Sequence, residues 1–362
     1  MSDQANRSLR RSLVIAAMFI AIAGLGMIGP PGQHMGAAAQ LPIEGKLASF
    51  DGATGWLNSQ PLAATGLRGK VVLVDFWTFT CVNWLRTLPY LRAWNARYKD
   101  RGLVVIGVHT PEFSVEHEIE NIRRAAQQMR VDYPIAVDND YAVWRAFNNA
   151  YWPAVYIADA QGRIRYHHFG EGEYEQTEKV IQQLLREAGA TGVGSELSAV
   201  DARGTEVAAD WSSLMSGETY VGYEKAENFA SPGGADRDKR HPYTVPQKWM
   251  LNRWALAGEW TVGKEIAVAE KPRARIVYRF HARDVNLVMG SGKRGKPVRF
   301  RVLIDGHAPD AAHGPDVDAQ GNGTLAEPRL YQLVRQPKPI DDRLFEIEFL
   351  DAGAEAFCFT FG

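Results

Sequence analysis

The segment 71–81 constrains this chain more than any other. Val71, Val72, Leu73, Val74 and Phe76 make an almost unbroken apolar run, as a strand covered on both faces requires. Trp77, Thr78, Phe79, Thr80 and Cys81 follow at once. Trp84, Leu88, Leu91, Trp94 and Tyr98 then recur every three or four residues, the single apolar face of a helix. A buried strand therefore delivers Cys81 to the first turn of a helix, where the dipole and free backbone N–H groups favour a thiolate. The other reading of a lone thiol is a buried structural cysteine. Downstream, a second buried strand is expected at 103–108 and a charged amphipathic helix at 115–129. Strands at 154–157 and 163–168 flank a Gln161-Gly162 turn, and a closing helix covers 177–187. Strands alternating with helices predict an α/β sheet.

From 188 to 198 the chain turns to Gly, Ala and Ser, as a linker does. Beyond it the period is two: 276–280, 300–304, 345–349 and 357–361 alternate apolar with polar residues, which predicts antiparallel strands in a sandwich. No fixed-period repeat is present. A length of 362 residues suits two domains, and a net charge of −1 without a basic block gives nucleic-acid binding no electrostatic support. There are two cysteines, Cys81 and Cys358, which excludes a disulfide framework and a cysteine-rich zinc site. Strict alternation places Cys358 opposite Phe357, Phe359 and Phe361, as a structural thiol. Pairing with Cys81 across domains would need Cα atoms within about 7 Å.

The N-terminus has the layout of a targeting segment. Arg7, Arg10 and Arg11 precede an apolar run at 13–28, then Pro30, Pro31 and the small residues Ala37, Ala38 and Ala39. Cleavage after Ala39 is expected, an uncleaved anchor being the alternative. The Arg10-Arg11 pair before Ser12-Leu13-Val14 loosely resembles a twin-arginine signal. Either way, the bulk of the chain is expected outside the cytoplasm, periplasmic or in the cell envelope.

Residues 71–89 resemble the active-site strand and helix of the thioredoxin superfamily. Asp75 lies six residues before Cys81, where that family carries a buried aspartate. Trp77 falls on its tryptophan, and Pro89 falls where its helix is kinked. Trp152-Pro153, ahead of a strand, matches the family's cis-proline. The extra segment 103–138 resembles the exported TlpA and redoxin branch. Within that branch, Phe76-Trp77-Thr78-Phe79-Thr80-Cys81-Val82-Asn83-Trp84 and Val108-His109-Thr110-Pro111-Glu112-Phe113 resemble the soluble C-terminal part of DipZ proteins. So do Gly222-Tyr223, Glu227-Asn228-Phe229 and Leu330-Tyr331-Gln332-Leu333. The resemblance implies an α/β thioredoxin fold at 40–190, a linker at 191–215 and an all-β, jelly-roll-like sandwich at 216–362, after a signal or anchor at 1–39.

The family pattern is Cys-x-x-Cys; here it reads Cys81-Val82-Asn83-Trp84. A dithiol enzyme attacks with its first thiol and releases the mixed disulfide with its second. With Trp84 in that place, an external thiol must clear Cys81, for which a membrane electron-transfer protein is one candidate. Three outcomes stay open: a monothiol route on protein disulfides, peroxide reduction through a sulfenic acid, or a redox-inactive envelope protein that binds partners. Thr78 lies three before Cys81 as in peroxiredoxins, but Val74 stands in place of their motif proline. Asp75, in an apolar strand, is expected to be desolvated with a raised pKa. The resemblance makes Glu112 an acid/base beside the thiol, the alternative being a solvated loop carboxylate. Trp77, Trp152 and Pro153 would line a substrate groove, and Trp84 supports the site or fills the core. Neither cofactor nor metal is expected, since no His or second Cys accompanies Cys81. In the sandwich, Tyr220, Tyr223, Phe229, Tyr243, Trp249, Trp254 and Trp260 are candidates for stacking on a glycan, or for core packing. Asp316, Asp318, Gly321 and Glu327 approach the spacing of a calcium loop, which a plain hairpin explains as well.

Overall fold

The computed structural model describes residues 40–292 and 296–362. The targeting segment predicted at 1–39 lies outside them. No described helix is long and apolar enough to cross a membrane.

The first part of the chain runs β1 (Gly45–Lys46), β2 (Gly55–Leu57), β3 (Val71–Trp77), α1 (Val82–Tyr98), β4 (Leu103–His109), α2 (Ile119–Gln128), β5 (Ile135–Val137), α3 (Ala142–Ala146), β6 (Ala154–Ala158), β7 (Arg163–Phe169) and α4 (Tyr174–Glu187). Among the described residues these strands form one sheet in the order β1-β7-β6-β3-β4-β5-β2. β3 is central, parallel to β4 and antiparallel to β6. All seven of its residues are buried, as its apolar run requires. This is the α/β thioredoxin fold. The helix expected at 115–129 is shorter: a 3-10 turn at Ser114–His117 precedes α2, because Glu116 turns inward to backbone amides instead of continuing a solvated face.

The second part is all β: β8 (Thr219–Tyr220), β9 (Arg240–Tyr243), β10 (Trp254–Val262), β11 (Ala267–Ala269), β12 (Ala274–Phe280), β13 (Asp284–Ser291), β14 (Val298–Ile304), β15 (Asn322–Leu325), β16 (Arg329–Arg335), β17 (Arg343–Phe349) and β18 (Ala354–Phe361). β10 belongs to both layers of the sandwich. Its first half pairs with β12 and its second half with β9 and β11. The change of partner falls at Gly258, whose φ of +87° few side chains adopt, and where a Cβ would sit 3.1 Å from Ala274 Cα.

Residues Leu41–Gly362 form one compact unit. The reason lies in one row of cross-strand neighbours. Tyr220 pairs with Cys358, Cys358 with Val288, and Val288 with Leu330. Residues directly opposite share a sheet face, and this row packs into the apolar core that Leu85, Leu88 and Phe113 of the first part also fill. Arg86 adds a polar tie: buried on α1, it donates to Glu171 Oε1 at 3.0 Å and to the Phe361 carbonyl at 3.1 Å.

Two expectations change here. β13 and β18 lose register between Val288 and Met289, so that Cys358 opposes Val288, Ala356 opposes Met289, and Phe357 is the extra residue of a bulge. Phe357 and Cys358 therefore both face the first part, with the Phe357 ring 5.4 Å from Phe113, while Phe359 and Phe361 point into the sandwich. Among the stacking candidates, Tyr243, Trp254 and Trp260 are buried in the sandwich core and cannot meet a glycan. Phe229 packs on Trp254, Tyr220 turns to the first part, and Tyr223 carries Arg237 over its ring.

Candidate active site

Cys81 caps the N-terminus of α1 with extended backbone (φ −74°, ψ 112°) and is half-buried. The residues before it are locked. Glu116, fully buried, accepts from Thr80 Oγ1 at 2.6 Å, from the Phe113 amide at 2.9 Å and from the Glu112 amide at 2.6 Å. One carboxylate thus fixes both the Cys81 approach and the Glu112 loop. The Trp152-Pro153 peptide is cis, as the resemblance implies, and the Trp152 indole donates to the Thr110 carbonyl at 3.1 Å.

The thiolate expected from the helix terminus is not favoured. Burial pushes the Cys81 thiol well up. The backbone amides of Trp84 and Asn83 act against this, but the charges of Glu112 and Glu218 add to it. The dipole is outweighed by desolvation and two carboxylates. Glu218 was not legible as a site residue, since it reaches Cys81 from the β part.

Asp75 behaves as its strand position demands. It is fully buried and burial lifts its pKa from 3.8 to about 7, against the pull of Trp84, whose Nε1 donates to Oδ2 at 2.8 Å. Trp84 in turn stacks on Trp77 at 4.2 Å. Trp77 is a correction: it is completely buried, edge-on to His109 at 4.8 Å, and cannot line a substrate groove. Gly107 on β4 makes room for it, because a Cβ there would lie 2.7 Å from Trp77 Nε1. His109 is buried too; burial drops its pKa to about 3, so it is a neutral packing ring against Phe79.

Glu112 is not a free loop carboxylate, and its charge acts on Cys81. Its Oε1 accepts from Tyr220 Oη at 2.6 Å and pairs with Lys225 Nζ at 3.1 Å, both from the β part. A cavity of about 230 Å³ opens beside this contact, lined by Glu112, Phe113, Tyr220, Lys225, Lys264 and Glu265. No cluster of three or more metal-ligating side chains occurs among the described residues. In the loop weighed for calcium, Asp316 is engaged by Arg329 and the Gln332 amide, and Asp318 by Asn322.

Residues 45–167 match the AhpC/TSA family, and residues 216–362 match the family of thioredoxin-like C-terminal domains. Protein DipZ of Mycobacterium tuberculosis is 40% identical over 256 residues, which span 70% of this chain and 36% of that protein. The chain is similar to DipZ proteins of the thioredoxin family. It therefore spans 36% of the length of those relatives. Thiol-disulfide oxidoreductase YkuV of Bacillus subtilis is 29% identical over 141 residues, 39% of this chain and 95% of that protein. A thioredoxin-like protein solved in its oxidised form is 29% identical, with a TM-score of 0.38 over 40% of this chain and 97% of that one.

Beyond Glu218, sequence reasoning missed Glu116 and Arg86. Glu116 sits three residues after Phe113, the spacing of a helix-capping carboxylate, and that was its available signal. Arg86 had none, because its partners lie 85 and 275 residues away.

Proposed function

We propose that this chain is an exported monothiol oxidoreductase in which Cys81 attacks protein disulfides or peroxides and an external thiol resolves the intermediate. On a disulfide R–S–S–R′, the Cys81 sulfur forms a new S–S bond to R, the old bond breaks, and R′ leaves as a thiol carrying the proton. An external thiol R″–SH then returns Cys81–SH and R–S–S–R″. On a peroxide, Cys81 becomes a sulfenic acid and an alcohol or water departs. The observation that carries the reading is the placement of a half-open Cys81 at the head of α1. The working parts in this reading are 40–190 and 216–362, joined by 191–215, with 1–39 as the export signal or anchor. Trp152 and Pro153 line the substrate approach.

A second reading has its own observation. A thiol pushed up by burial, under a β part that contributes Tyr220 and Glu218, suits a redox-inactive envelope protein that binds a protein or glycan. Trp249, half-buried, is then the remaining open aromatic of the glycan set. The test is titration of Cys81 in Cys358→Ala with a chromogenic pyridyl disulfide. Release of one equivalent of pyridinethione from the folded protein, and its repetition after each addition of external thiol, is the expected result. A folded protein that releases none sinks the enzyme and leaves the binding reading.

A further inference from the structure

The contact between α1 and α4 contains an aromatic pair of uncommon geometry. Tyr90, on the third turn of α1, and Tyr174, the first residue of α4, lie 84 positions apart in the chain. Their rings stack with centroids 3.7 Å apart and planes 11° from parallel. Aromatic pairs ordinarily settle offset or edge-on, with centroids about 4.5–7 Å apart, because their faces are electron-rich. Here two such faces are pressed together, and ties on both sides hold them. On one side, Tyr174 Oη lies 3.4 Å from Thr87 Oγ1. Thr87 donates its own proton to the Asn83 carbonyl at 3.1 Å, which leaves its oxygen to accept from the phenol. On the other side, one turn further along both helices, Trp94 Nε1 donates to Glu178 Oε2 at 3.1 Å. Both tyrosines are half-buried and line a surface cavity of about 400 Å³, together with Glu173, Glu175 and Leu197. No other two tyrosine rings are in contact among the described residues. Such a stack suits one reaction in particular. Two phenoxyl radicals couple through ortho carbons, and the new C–C bond forms roughly perpendicular to both ring planes, so the rings must meet face to face.

We propose that Tyr90 and Tyr174 are an oxidative cross-linking site, joined into a biphenol that straps α1 to α4. The oxidant is a one-electron acceptor small enough to enter the cavity, the class of radical that haem peroxidases release. Each phenol passes one electron to one oxidant and its hydroxyl proton to water. The two phenoxyl rings then bond through facing ortho carbons. Each ring regains its aromaticity by moving the proton of its coupled carbon to its oxygen, so the pair loses two hydrogens in all. The strap closes a long loop and constrains the unfolded chain. It holds α1, which bears Cys81 at its head, on α4. The site is independent of whether Cys81 reacts.

The experiment photo-oxidises the full-length protein with tris(bipyridyl)ruthenium and persulfate at low protein concentration, then reduces its thiols and digests it. The expected result is a monomer in which the peptides containing Tyr90 and Tyr174 are joined, with the loss of two hydrogens and the blue fluorescence of a biphenol. Tyr90→Phe and Tyr174→Phe each keep a ring in the stack and remove one phenol. In both, with folding verified by thermal melts, the joined pair and its fluorescence should fall to background. The change in melting temperature on treatment should be more positive for the parent than for either variant. Rings at 90 and 174 that stay unjoined, joined peptides from two different chains, or fluorescence that persists in the variants would overturn the site. An equal change in melting temperature would overturn the strap.

Discussion

The replacement of the second thiol by Trp84 reorganises the residues beneath it. The indole fills the space between Asp75 and Trp77, donating to one and stacking on the other. Trp84→Cys restores the dithiol spacing and frees Asp75, so mild oxidation is expected to join residues 81 and 84. Intact mass would show the loss of two hydrogens, and release of a mixed disulfide would no longer depend on external thiol. Emptying so much core costs about 3–5 kcal/mol, which the denaturation midpoint reads; a protein that folds yet never forms the bridge would refute the geometry. Asp75 makes a separate prediction. Its folded pKa is raised from 3.8 to about 7, so the folded state holds a proton that the unfolded chain releases. That contribution is complete below about pH 4 and is lost as pH rises through about 7, a change of about 4 kcal/mol. Asp75→Asn, which still accepts from Trp84, should flatten stability between pH 4 and 7 in urea titrations. Asp75, Cys81 and Trp84 were legible as residues, because a strand–turn–helix pattern fixes their neighbourhood locally, while Glu112 was singled out through the family resemblance. The thiol's poor acidity was not legible, since it comes first from burial, with the charges of Glu112 and of Glu218, 137 positions away in the chain, adding to it.

Elements were legible where one face is wet. β14 and β17 alternate in burial, and β12 does so except at the buried Val277; their alternation is plain in the sequence. β13 was missed for the opposite reason: it is buried on both faces, one in the sandwich and one against the first part, so its apolar and polar residues follow no period. Asn286 and Gln332, buried on adjacent strands, broke the pattern further. The Cys358 misplacement has a related cause, because a single bulge residue, Phe357, reverses every side chain beyond it. Gly258 shows what such an irregularity demands of the chain. Gly258→Ala puts a Cβ at positive φ, against the Ala274 backbone, and should cost about 1–3 kcal/mol. Chemical denaturation reads this directly; an unchanged midpoint would mean that β10 does not turn between layers at Gly258.

On the scale of the whole molecule, the sequence reading of two domains and a linker understates their union. A linker composition says that the chain between is polar and small; it says nothing of the surfaces on either side. Here the thioredoxin face that is expected to meet substrates also meets the row Tyr220, Cys358, Val288 and Leu330, and Phe113 reaches over to Phe357. Arg86 to Phe361 and Arg124 to Glu327, at 2.8 Å, add polar ties at separate points of the contact. Apolar surface shared in this way cannot be exposed on one side without exposing it on the other. Heating should therefore give one calorimetric transition with equal calorimetric and van't Hoff enthalpies, not two. Phe113→Ala opens the shared core from its middle and should lower that single transition. Two resolved transitions in the parent protein would mean that the β part is a detachable neighbour, and Tyr220 and Glu218 then could not be permanent members of the Cys81 site.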